Sequence, residues 1–549
     1  MRMHFQTAAR ISCLLALMAL LPFPARAQHE GHEGSMVGWV PREILERPVT
    51  LRQGIGTVHE KVITASPQAQ SFYNQGLAYL HSFVWIEAAR SFNQALRLDA
   101  NMAMAEVGLS DAFMGLSDGA AAHAALEKAQ ALAASATEAE RRKIQIHALL
   151  LAWFDDSGDL QKYFAYRKAI TDSIAATPND PWLWIQRGFA DEGVPHAHGQ
   201  NGGADTIAFY ETAMKLAPDE FPAYHYLAHT FETIGQTGDA LANSEIYVRM
   251  APAIPHAHHM RGHDLRRSGR TEEALAEFER AGQLEESYYD SERIPRQYDW
   301  HHVHNLNLLA MCHETLGQMK SAEKLFQEAF SLPVYNDLAE FNRREWPEFL
   351  LSRGRYEEAL AAARELAEGR WAMGRLAGHT EAGRALLRLD RLHEAEEELF
   401  LAERELEHVP TSVAAALPDA GLLHAEILLR QGRIDASDPL FRQIVQKVRA
   451  VPGPDSWSEA LFQLESIAKL AREADDWDLV QFVAHEMIEH DSSYAGGYYF
   501  SALAANHRGD ESAARDQFAQ ARRLWAKADP DLPELVQTAQ KLQTSGPAN

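Results

Sequence analysis

The chain has 549 residues, 46% hydrophobic and 23% charged, the balance of a folded soluble protein too long for one compact core. Asp and Glu number 77 against 52 Lys and Arg, and the formal net charge of −25 excludes nucleic acid as an expected partner, because such a surface repels phosphate backbones. Cys13 and Cys312 are the only cysteines, which excludes a disulfide scaffold, cysteine-rich zinc modules and iron–sulfur ligation.

In chain order, residues 1–27 read as a secretory signal. Arg2 and Arg10 form the positive flank, an apolar run spans 11–21, and Ala25-Arg26-Ala27 is a small-x-small cleavage site. The run is too short to cross a bilayer and no later run reaches about 18 residues, so no membrane span is expected. A mature start near Gln28 and a periplasmic or secreted location follow. Removing those 27 residues, which hold three Arg and no acid, takes the charge from −25 to −28. Residues 28–66 read as a flexible polar arm, with a His-Glu-Gly run at His29–Gly34 that is better explained by solvation than by chelation.

From residue 67 onward apolar residues recur every three to four positions in an Ala-, Leu-, Glu- and Arg-rich background, so helices are expected throughout. A period is visible within them. The stretch 69–100 places Phe72, Gly76, Tyr79, Ala88, Phe92 and Ala95 at positions 4, 8, 11, 20, 24 and 27. The stretch 221–252 places Tyr224, Leu227, Ala228, Phe231, Ala240 and Pro252 at positions 4, 7, 8, 11, 20 and 32. In 255–286, Gly262, Leu265, Ala274, Phe278 and Ala281 take positions 8, 11, 20, 24 and 27. Weaker copies follow at the turns 354–359, 390–395 and 432–436, and Gly509, Ala514, Phe518 and Ala521 mark a last good one.

This pattern resembles the tetratricopeptide repeat, a helix–turn–helix unit of 34 residues. The resemblance covers roughly 69–530 and implies an all-α fold: a right-handed α-solenoid of about twelve helix pairs. The expected organisation is an N-terminal array over 67–335, a C-terminal array over 336–530 and a tail over 531–549. Two insertions interrupt the period, at 193–203 and at the Tyr-rich 285–299. Insertions in repeat arrays fall in loops on one face, often the binding face.

Eleven of the 26 histidines fall between His196 and His304, and their register is informative. His225 and His229 occupy positions 5 and 9 of one repeat, four apart and so on one helix face. His259 and His263 occupy the same positions 34 residues later. The family resemblance implies that positions 2, 5, 9, 12 and 13 line a concave groove. Carried over residue by residue, it places His225, His229, Glu232 and Thr233 there, then His256, His259, His263, Arg266 and Arg267, then His304, Asn307, Met311 and Glu314. Glu192 falls at position 12 of the preceding repeat, followed by His196 and His198 in the insertion.

Neighbouring packed helices lie about 8–10 Å apart, so imidazoles from two of them can converge on one ion. Neutral imidazole suits Zn, Cu or Fe, and i, i+4 spacing presents two ligands together. The expected metal ligands are therefore His225, His229, His259 and His263. Glu192, His196, His198, Glu232, His256 and His304 are further groove ligands, Asp264 is a carboxylate able to orient a ring, and Arg266 and Arg267 are cations for an anionic substrate group. His301 and His302 either join the cluster or cap the second insertion.

The same register admits other readings. A polar groove for a peptide or small acid would use the same residues, and structural hydrogen bonding copied by duplication would also place them so. No phosphate loop or dinucleotide fingerprint is present, so no nucleotide cofactor is expected. In the run 485–490 the two histidines lie five apart, about 140° around the helix, and cannot share an ion from one face. Cys312, at position 10, is expected to be a buried thiol between helices. The leading expectation is an exported repeat scaffold with a His-rich, metal-binding concave site, binding a protein, peptide or small molecule. The alternatives are a metal-dependent enzyme, hydrolytic or oxidative, with Glu232 or Glu192 as general base, and a plain protein–protein adaptor.

Overall fold

The computed structural model describes residues 40–193, 199–334, 337–409, 411–450 and 454–544. From Pro67 onward the described residues fold as helices joined by turns. Seven antiparallel helix pairs run from Pro67–Leu80 with Trp85–Leu98 to Trp300–Thr315 with Met319–Ser331. Around 332–345 the regular pairing is interrupted by the short helix Asp337–Asn342. Five further pairs then run from Glu345–Ser352 with Tyr356–Ala367 to Ala495–His507 with Glu511–Leu524.

The repeat residues act as their sizes require. A Cβ added at Gly76 would meet the Phe92 ring at 2.5 Å, and one at Gly262 would meet Phe278 at 2.7 Å. Position 8 must therefore be small because the position-24 aromatic fills the gap between paired helices. Pro67, Pro181, Pro222 and Pro255 each stand at the start of a first helix, where a missing N–H costs nothing.

The superhelix closes on itself twice, and both closures shape the histidine groove. In the first, the turn 81–84 of the first pair packs against helix Pro222–Thr233, and buried Arg90 donates to Glu292 Oε2 at 2.9 Å. In the second, the C-terminal repeats return onto the middle ones. Arg266 Nη1 donates to Asp491 Oδ2 at 2.7 Å, Asp529 N donates to Gly317 O at 3.1 Å, and Lys320 pairs with Asp531.

Two expectations are corrected. Residues 40–66 are not a flexible arm: Val40, Ile44, Leu45, Ile55, Val58 and Val62 are buried in the core, and Ala253 N donates to Gly54 O at 2.8 Å. Scattered apolar residues in an irregular segment carry no period, yet they cover the apolar edge of the first repeat. The insertion 285–299 is mostly not a loop. It extends helix Thr271–Glu292 and then turns through Arg293, at φ 54°, and the short 3-10 helix Arg296–Tyr298.

Candidate metal centre

Three successive first helices carry the groove: Pro222–Thr233, Pro255–Arg267 and Trp300–Thr315. The structure brings all four primary histidines into it but divides them between two sites. His225, His229 and His256 form one trio and His259, His263 and His304 the other; within each, one ring nitrogen per residue lies within 4.8 Å of the others. The division follows the repeat: each trio takes positions 5 and 9 of one repeat and position 2 of the next. Asn307 and Met311 occupy positions 5 and 9 of the repeat after that, so the series ends at two.

In the first trio His225 is central. Its Nδ1 lies 2.7 Å from the backbone oxygen of His81, and since a carbonyl can only accept, Nδ1 carries the proton. Nε2 of neutral His225 therefore holds a lone pair, with Nε2 of His229 at 3.1 Å and Nε2 of His256 at 3.0 Å both facing it. One lone pair accepts one good hydrogen bond, whereas a cation in their midst satisfies all three nitrogens. Tetrahedral coordination at about 2.0–2.1 Å per Zn–N bond sets neighbouring ligand nitrogens about 3.3–3.4 Å apart, a few tenths of an ångström from the two contacts that His225 makes.

The second trio repeats the arrangement with different supports. His259 Nδ1 donates to Asn305 Oδ1 at 3.2 Å, and Asn305 is held in that orientation because its Nδ2 donates to Phe278 O at 3.1 Å. His259 Nε2 faces His263 Nε2 at 2.7 Å. Nδ1 of His263 stands 3.4 Å from Glu232 Oε1, which places that buried carboxylate behind the imidazole.

Burial favours the neutral form of four of these rings. It drives His225, His256 and His259 well below the ordinary imidazole range, and the neighbouring imidazoles add to the effect. It also lowers His229 to about 4. Uncharged imidazole is the form that ligates. Burial alone would raise Glu232, but the adjoining His263 and the Arg267 guanidinium outweigh it and hold the carboxylate below its usual range.

Both trios open on one cavity of about 350 Å³, lined by His229, His256, His259, His263 and His304 with Glu232, Arg267 and Asn307. Trp300, Met260 and Phe341 form apolar wall, and Ser456 and Glu459 reach it from the returning C-terminal repeats.

Several expected members do not belong. Glu192 accepts from the Tyr210 hydroxyl at 2.8 Å and from Gly199 N at 3.1 Å; it secures the first insertion instead of facing the trios, and burial raises it to about 7. Arg266 is 3% exposed and is spent on Asp491, on Thr315 Oγ1 at 3.2 Å and on the face of Trp457, so it is not open to a substrate. Arg267 keeps its place on the cavity, with Nη1 donating to the backbone oxygen of Glu232. Asp264 is buried beside Glu232, which together with burial raises its carboxyl well above the usual range. Glu314 is buried away from the cavity, and Cys312 is buried with its thiol pushed up to about 12. His196 and His198 lie outside the described residues, as do His29 and His32.

Other contributors carry no register signal. Phe83, in the turn from the first pair, lies 4.8 Å from the His225 ring and 5.0 Å from His256. His81 supplies the carbonyl that sets the His225 tautomer, 144 residues away in sequence. Glu285, 0% exposed, accepts from Nδ1 of both His301 and His302. Of the unexpected residues, only Asn305 sits in a helix already marked as part of the groove.

Among known proteins, the tetratricopeptide repeat family model matches residues 303–333, the stretch that contributes His304. A search of curated proteins finds no match. Similar solved structures include the human IFIT1 dimer with m7Gppp-AAAA, at 13% identity over 84% of this chain and 91% of that one, TM-score 0.36. Yeast Tom70 is 12% identical over 87% of this chain and 95% of its own, TM-score 0.32. The Cut9–Hcn1 hetero-tetramer of the APC/C is 11% identical over 88% and 97%, TM-score 0.31. No described helix is long and apolar enough to cross a membrane.

Proposed function

We infer that this tetratricopeptide-repeat scaffold binds transition-metal ions, one in each histidine trio, and presents them to a shared cavity. The observation that carries the reading is the repetition itself: positions 5, 9 and the following 2 converge twice, each time with the central Nδ1 proton fixed on a backbone or amide oxygen. Nitrogen-only first ligands with a carboxylate behind one of them suit Zn(II) or Cu(II), and Fe(II) less well. The reading includes export, supported by the pattern of residues 1–27.

Elemental analysis of untagged protein purified without chelator, beside the His225/His229/His259/His263→Ala quadruple variant, tests it. About two ions per chain in the wild type and none in a variant of unchanged helicity are expected. Metal-free wild type refutes the site.

One observation favours a second reading, a metal-dependent enzyme: three protein ligands leave a coordination position open, and here both trios face a cavity. Neither carboxylate first considered as its general base is at liberty, since Glu192 is engaged elsewhere and Glu232 faces His263. Arg267 would hold the substrate. Faster turnover of a chromogenic ester by loaded wild type than by the quadruple variant supports this reading, and equal background rates refute it for ester hydrolysis.

A further inference from the structure

We propose that His301 is a seventh imidazole of the metal site, standing between the two trios and able to ligate an ion in either. The proposal deepens the metal reading above and rests on it.

His301 lies in the first turn of helix Trp300–Thr315 and is 5% exposed. Its Nδ1 donates to Glu285 Oε1, so Nε2, at the far side of the ring, carries the free lone pair of the neutral form. That Nε2 is buried and without a partner. The His301 ring centre is 4.3 Å from that of His259, the central member of one trio, and 5.3 Å from that of His256, a member of the other. A buried polar atom without a partner is disfavoured, and a metal ion supplies the partner that Nε2 lacks. An imidazole backed by a buried carboxylate is also the arrangement that orients metal-ligating histidines and raises their basicity.

Each trio offers three nitrogens, and a four-coordinate ion takes one more. One imidazole placed between two such ions completes one shell at a time. His301 therefore completes the shell of one ion at a time, while each trio keeps its own three nitrogens.

His302 provides an internal control. It is 4% exposed, donates to the other oxygen of the same carboxylate at 3.1 Å, and likewise has an unpartnered Nε2. Its neighbouring ring is Tyr289, at 5.5 Å, and not a trio histidine. A role confined to holding Glu285 is common to both residues, whereas ligation belongs to His301.

The test titrates the full, untagged chain, stripped of metal, with Co(II) and reads the visible absorption, which reports coordination. Wild type, H301A, H301Q and H302A are compared, with helicity checked by circular dichroism. The two His301 variants are expected to bind Co(II) on the order of 10- to 100-fold more weakly, with an altered band shape, while H302A matches wild type. Unchanged affinity in the His301 variants overturns the proposal. So does an equal loss in H302A, or loss of helicity in both His301 variants, since either marks a structural residue. No Co(II) absorption in wild type refutes the metal reading itself, a failure distinct from the others.

Discussion

Replacing His256 with alanine removes one of three imidazoles from the first trio and none from the second; His304→Ala does the reverse. If the trios are separate ion sites, each substitution lowers the stoichiometry from two ions per chain to one, and the double variant binds none. The stabilisation divides in the same way. An ion present at 100 times its dissociation constant stabilises the folded state by about 2.7 kcal/mol per site, so wild type gains about 5.4 kcal/mol and each single variant about half of that. Isothermal titration with Zn(II) measures the stoichiometry, and thermal melts with and without Zn(II) measure the stabilisation. His256 is 4% exposed, so its truncation also leaves a small cavity; comparing loaded with stripped protein of the same variant cancels that cost. If H256A abolishes binding of both ions, or wild type saturates at one, the six rings form a single site and the division by repeat position is wrong.

Three further outcomes follow from particular contacts. Asn305→Ala releases the His259 tautomer and leaves Phe278 O without its donor, so Zn(II) affinity at the second trio falls on the order of 10- to 100-fold while the first is unchanged; equal loss at both refutes the assignment. Gly262→Ala drives a Cβ to 2.7 Å from the Phe278 ring and costs about 1–3 kcal/mol, read as a lower thermal midpoint; an unchanged midpoint refutes the close approach. Burial raises the Glu314 carboxyl to about 8 from 4.5, so the folded chain keeps a proton that the unfolded chain releases between those values. Stability from this group therefore falls as pH rises from about 4.5 to 8. Glu314→Gln removes that dependence, and urea unfolding shows its advantage over wild type growing by about a few kcal/mol between pH 5 and pH 8; an advantage independent of pH refutes the shift.

The sequence by itself determined the all-helical solenoid, because small residues at position 8 and aromatics at position 24 are a local rule for packing two helices and can be counted without coordinates. It also determined which helix faces carry the histidines, since spacing of four on a helix fixes a common face. His225, His229, His259 and His263 were legible for that reason, as was the place of His256 and His304 among the groove positions.

The tertiary structure decided how the six divide. Position 2 of one repeat meets positions 5 and 9 of the repeat before it, a relation set by the displacement between stacked pairs and absent from any single helix. It also decided the supports. His81 and Phe83 arrive from the first repeat, and Asp491 claims Arg266 from the last, through superhelical closures whose curvature no local pattern records. Glu285 reaches His301 and His302 because the insertion 285–299 begins by lengthening helix Thr271–Glu292 where the period alone suggested a loop, and residues 40–66 pack because the first repeat has an apolar edge to cover. Short-range spacing sets the face a side chain occupies; the sum of small rotations between successive repeats sets what it meets there.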